Sequence, residues 1–153
     1  MPASTATTRL RYAFALESTL NLLGGITMLT YPSAMLSLLV SHPTLITNAA
    51  VSLTQWLGAL SCGLAVPLLL ALPESPQAPA QRKLTYSTLL AGEGFLIPVM
   101  LLQAAGARDA TGLTRKALVG ALQVLVPPAV GRLYVLVRRP EWFGGGETAA
   151  KRD

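Results

Sequence analysis

The chain has little to do soluble chemistry with. It carries one cysteine, Cys62, so no internal disulfide can form. It carries one histidine, His42, just before Pro43, which reads as an ordinary loop residue. A His/Cys metal cluster therefore has too few ligands, and no metal is expected. There is no phosphate-binding glycine loop, no GxGxxG and no GxSxG elbow. These absences argue against nucleotide-driven, metal-dependent and Ser-His chemistry, and no cofactor is expected. The opening MPASTATTRLRYAF lacks the short apolar region and small-residue cleavage site of a secretory leader. Charge is scarce as well. Charged residues make up 12% of 153 residues, where a soluble domain carries about twice that share.

What fills the space is apolar. Hydrophobic residues reach 52% and the mean hydropathy is +0.50. The expectation is an all-α integral-membrane protein. Four stretches, about 10–31, 48–72, 84–105 and 116–138, are long enough to cross a bilayer, which needs roughly 20 helical residues. They form one four-helix domain over 1–143. TYPS, PESPQAPAQRK, GARDATGLTRK and RRPEWFGGGE punctuate them. AMLSLLV (34–40) is too short to span and is expected to lie at the surface or re-enter. The Gly-rich segment 144–153 is expected to be a disordered tail.

The net charge of +5 could suggest nucleic acid, but the basic residues sit at span ends, which is membrane topology. Arg9, Arg11, Arg82, Lys83, Arg138, Arg139, Lys151 and Arg152 fall on one side, and Arg108, Arg115 and Lys116 on the other. Both termini are thus expected in the cytosol, with the endoplasmic reticulum as the default membrane. Tyr12, Tyr86, Trp142 and Phe143 fit an aromatic belt at that face. Pro67, Pro98 and the pair Pro127-Pro128 lie inside spans, so kinked helices around an internal cavity are expected. Gly24, Gly25, Gly58, Ala59, Gly63, Gly120 and Gly131 permit close helix contacts.

Against this background the polar residues inside the spans stand out, because charge in a membrane is costly and faces a partner or a wet cavity. Span 1 carries Glu17, with Asn21 one turn later on the same face. Span 3 carries Glu93, between Gly92 and Gly94, which leave room for a ligand or water. Span 4 carries Arg132 and Gln123, and span 2 carries Gln55. At 1.5 Å per residue, Glu17 and Arg132 lie roughly 8–10 Å from the cytosolic ends, Glu93 roughly 13 Å and Asn21 roughly 15 Å. Tyr12 and Tyr134 sit just above this layer, and Gln55 and Gln123 lie deeper. Two acids then share one guanidinium. If Arg132 pairs with one of them, the other is left to hold a proton, and a neutral acid beside an ionised one is an acid/base pair. Glue between helices is the other use of such a pair.

The stretches FALESTLNLLGG, TQWLGALSCG, LLAGEGFLIP and PPAVGRLYVLVRRPEW resemble the small four-span epoxide hydrolase/cyclase proteins of fungal polyketide and meroterpenoid biosynthesis, of the aurovertin and citreoviridin type. The resemblance covers residues 10–140. It implies opening of an epoxide on a lipophilic polyene or terpenoid intermediate, to a diol or cyclic ether. Soluble enzymes of the limonene-epoxide type do this with two carboxylates bridged by an arginine. Glu17, Arg132 and Glu93, with Asn21 and Tyr134, supply that inventory. Glu93, the deeper acid, is the expected proton donor and Glu17 the base, although the roles can be reversed. Tyr12, Gln55 and Gln123 complete the candidate polar set. The expected partners are a lipophilic small molecule and the bilayer, and a homodimer stays open. A proton-coupled multidrug-type transporter, a carbocation-type isomerase and a non-catalytic membrane scaffold are the competing readings.

Overall fold

The computed structural model describes residues 5–106 and 112–144. The expected disordered tail and the charges Arg108, Lys151 and Arg152 lie outside the described residues, apart from Gly144. Five α-helices occur among those described: α1 (Thr5–Thr30), α2 (Pro32–Leu39), α3 (Asn48–Leu70), α4 (Ala78–Ala105) and α5 (Arg115–Arg138). Short 3-10 turns cover Pro43–Leu45 and Pro140–Phe143. The fold is all-α. Helices α3, α4 and α5 are long and apolar enough to cross a membrane, and α1 with α2 makes a fourth if the bent pair is one span.

Local chemistry sets the helix ends. The residue before a proline is steered out of the helical region. Tyr31 accordingly breaks α1 at φ −129°, and α2 departs at 104° with Pro32 in its first turn. AMLSLLV is thus a short helix turned off the end of α1. Thr47 and Thr114 cap α3 and α5, their hydroxyl oxygens accepting from the Ala50 and Ala117 N–H groups at 3.2 and 3.1 Å. Beyond α2 the chain is extended. Val40 pairs with Leu113, the Ser41 N–H donates to Gly112 O (3.0 Å), and the Thr114 N–H donates to Leu39 O (2.8 Å). Gly112 sits there at φ 63°, a conformation that costs glycine little. Pro67, Pro98, Pro127 and Pro128 all lie inside uninterrupted helices. Each removes one backbone donor, which leaves the carbonyls of Gly63, Gly94, Gln123 and Val124 without their helical partner. Several helix hydroxyls are satisfied locally: Thr19, Thr27 and Thr30 each donate to a carbonyl four residues back.

The helices pack as two pairs, α1 along α3 and α4 along α5. At the crossing of α1 and α3, a Cβ added to Gly58 would lie 2.7 Å from Gly25 O, and one on Gly25 2.7 Å from Gly58 O. Of the glycines read as packing sites, only these two are close-packed. A Cβ on Gly24, Gly63, Gly120 or Gly131 would meet nothing within 4 Å. Gly58→Ala is therefore expected to lower stability by about 1–3 kcal/mol, by forcing backbone apart. Gly63→Ala, whose methyl meets nothing, should leave the unfolding temperature in detergent equal to wild type or slightly higher.

The pairs meet at the end where α1 begins and α5 finishes. Leu10, Phe14, Leu68, Ala71, Tyr86, Leu89, Val135 and Phe143 form the core there. Elsewhere large apolar side chains point outward, Phe95 at 81% exposure and Leu102 at 73%, as a lipid-facing surface requires. Arg82, read from sequence as a topology charge, is buried in this core. Its Nε donates to Ala71 O (3.0 Å), Nη1 to Phe143 O (3.3 Å), and Nη2 to Pro73 O (3.4 Å) and Glu74 Oε1 (3.3 Å). One guanidinium thus answers the loose carbonyls after α3 and at the end of the last 3-10 turn. Lysine has one nitrogen and cannot serve both sides. Arg82→Lys is expected to cost at least about 2 kcal/mol in a denaturant melt, since buried acceptors would be left unmet.

Candidate functional site

Three of the polar span residues come together. Arg132 is buried in α5. Its Nη1 donates to Glu93 Oε1 of α4 and its Nη2 to Glu17 Oε1 of α1. One guanidinium therefore holds both carboxylates. The expectation from sequence, that pairing one acid would leave the other without a cation, is replaced by a bridge in which each acid spends a single oxygen. Glu93 Oε2 and Arg132 Nε are buried without a hydrogen-bond partner. Glu17 is the more open acid, its side chain 26% exposed against 10% for Glu93.

The bridge forms one wall of a cleft between α1, α4 and α5, with a volume of about 350 Å³. Asn21 lines it one turn from Glu17, and Pro128 and Leu125 face it from α5. Leu16, Leu20 and Val124 also line it while being among the exposed large hydrophobics, so the cleft opens onto the apolar outer surface of the helices. Volumes of this order hold small ligands, and apolar walls with a few converging polar groups are the usual composition of such sites.

Tyr86 also lines the cleft, and its role was not foreseen. Read as a belt residue, it is buried, with its ring 5.8 Å from the Arg132 guanidinium carbon. Phe14 and Phe143 pack edge-on against it at 4.9 and 5.6 Å. Phe143 is likewise core rather than belt. The signal was present: Tyr86 precedes Glu93 by seven residues, two helical turns on one face.

The remaining candidates stand elsewhere. Tyr134 is half exposed, accepts from Arg139 Nε at 3.3 Å and packs on Trp142. It follows Arg132 by two residues, about 200° around the helix, and so faces away from the bridge. Gln123 precedes Arg132 by nine residues, about 180° around, and is exposed. Tyr12 is 74% exposed and borders a different hollow. Gln55 ties α3 to α1, its Nε2 donating to Leu29 O at 3.3 Å. Gly92 and Gly94 are open beside Glu93, with nothing within 4 Å of an added Cβ.

Comparison with protein-family models, with curated proteins and with solved structures finds no match for this chain.

Proposed function

We propose that the chain is a membrane-embedded enzyme that opens an epoxide on a lipophilic intermediate by carboxylate acid/base catalysis. The observation carrying this reading is the single guanidinium that holds carboxylates from two helices in the wall of an apolar cleft open to the outer surface of the helices. In that arrangement one carboxyl delivers a proton to the epoxide oxygen as its C–O bond breaks. Water, or a hydroxyl of the substrate itself, attacks the carbon from the other side. The second carboxylate takes the proton that the nucleophile loses. The product is a diol in the first case and a cyclic ether in the second, and a proton passing back between the acids resets the site. Glu93 is the donor in this scheme. It is the more buried acid, and its second oxygen is itself buried without a hydrogen-bond partner. Glu17, more open and one turn from Asn21, is the base. Arg132 fixes the two in register and offsets their charge. Each such proton-transfer role contributes about 10²–10⁴ in rate.

The substrate would be a small lipophilic molecule that reaches the cleft sideways from the bilayer, where water is scarce enough to spare reactive intermediates. The reading places the chain in the endoplasmic reticulum with both termini in the cytosol. The test is product formation in microsomes carrying the full chain and supplied with a lipophilic epoxide. A diol or cyclic ether absent from control microsomes is the expected result. No product across a panel of such epoxides would overturn it in favour of a transporter or scaffold.

A further inference from the structure

A second hollow, of about 310 Å³, lies at the end of the bundle where α1 begins. It is lined by Thr8, Arg11, Tyr12, Ala15 and Leu72. Its lining joins polar and apolar side chains. Thr8, Arg11 and Tyr12 are nearest the start of α1, Ala15 lies one turn further along it, and Leu72 closes the hollow from the segment that follows α3. The charge around it is one-sided. Among the described residues, Arg9, Arg11, Arg82, Lys83, Arg138 and Arg139 gather at this end against only Glu74 and Glu141. Both acids are already engaged. Glu141 stands 3.6 Å from Arg139, and one oxygen of Glu74 is shared by Arg11 (3.2 Å) and Arg82 (3.3 Å). Two guanidinia on one carboxylate leave a positive charge over. Arg11 Nε is buried without a hydrogen-bond partner. Tyr12, 74% exposed, stands at the rim, where aromatic rings favour the headgroup level of a bilayer.

We infer that this hollow binds an anionic phospholipid, its phosphate beside Arg11 and the start of an acyl chain over Ala15 and Leu72. The chemistry asks for a phosphate oxygen that accepts from a guanidinium, which is the planar donor best matched to it. It also asks for an apolar continuation, which a free anion lacks. The position at the end of the spans supplies such a molecule at high local concentration. This site shares no residue with the cleft and stands whether or not the chain is an enzyme.

The experiment is native mass spectrometry of the full chain, released from neutral detergent after exchange with phosphatidylcholine containing a minor fraction of phosphatidic acid. Wild type should retain one phosphatidic acid in preference to phosphatidylcholine. Arg11→Gln should weaken that retention about fivefold, the effect of one basic residue at an anionic surface. Arg9→Gln removes the same charge two residues away, about 200° around the helix, and should leave retention near wild type. Ala15→Leu keeps every charge and fills the apolar half, so it should also weaken retention. Equal losses from Arg9→Gln and Arg11→Gln would reduce the effect to diffuse surface attraction and overturn the site. So would competition by inorganic phosphate as effective as by the lipid, or an unchanged Ala15→Leu. Arg11→Gln is expected to fold, because the Arg11–Glu74 pair is exposed and Arg82 still holds Glu74.

Discussion

Glu93→Gln and Glu17→Gln are each expected to lower turnover of a lipophilic epoxide in microsomes at least about 100-fold at matched expression. Glutamine is the sharp choice because it changes so little else. Its carbonyl oxygen can still accept from Arg132, and its volume matches glutamate, so the bridge across α1, α4 and α5 has every reason to persist. What it cannot do is carry a transferable proton. A large loss with insertion intact therefore reports proton transfer, whereas loss of a strut would show as a lower unfolding temperature. The two acids should also differ. Glu17 is the open, Asn21-flanked carboxylate, so an added small nucleophile should partly restore Glu17→Gln and leave Glu93→Gln inactive. Swaps that change turnover by less than a few-fold, or that change only detergent stability, would make the carboxylates structural and end the acid/base reading.

Removing the cation should be the most destabilising single change in the molecule. Arg132→Met is expected to cost about 3–5 kcal/mol, because it leaves two carboxylates facing each other in an apolar wall without a guanidinium. The informative companion is the triple variant Arg132→Met, Glu17→Gln, Glu93→Gln. Replacing an entire buried ionic cluster by neutral groups is often close to neutral in stability. The triple variant should thus recover most of what the single one loses, with no return of activity. Thermal unfolding in a fixed detergent reads both. A triple variant as unstable as Arg132→Met would mean that the arginine stabilises chiefly through its packing beneath Tyr86.

The spans could be read from hydropathy alone, since α3 at Asn48–Leu70 and α5 at Arg115–Arg138 are apolar runs closed by threonine caps and charge. The layer of Glu17, Glu93 and Arg132 was reachable from depth counted along the helices. Depth is one coordinate, however, and a helix has two. Tyr134 and Gln123 lie on the wrong side of α5 from Arg132, which counting at 100° per residue would have shown. Tyr86 and Arg82 were missed for the opposite reason. Each belongs to a residue type that membranes place at their borders, so topology explained them too easily. Yet both share the face of α4 that carries Glu93. The packing glycines could not be sorted from sequence at all. Whether Gly58 or Gly63 meets a neighbour depends on where α1 crosses α3, and only the three-dimensional arrangement supplies that.

The bridge also sets an order of events in the life of the chain. Glu93 and Arg132 are 39 residues apart in adjoining helices, whereas Glu17 and Arg132 are separated by 115. A ribosome adding about 5–20 residues per second needs on the order of ten seconds to cover the longer distance. Through that interval the first helix exists with its acid and no guanidinium to meet it. Helix α5 is synthesised after α1 and carries the guanidinium that the α1 acid meets, so a nascent chain halted before α5 holds an unmatched carboxylate in α1.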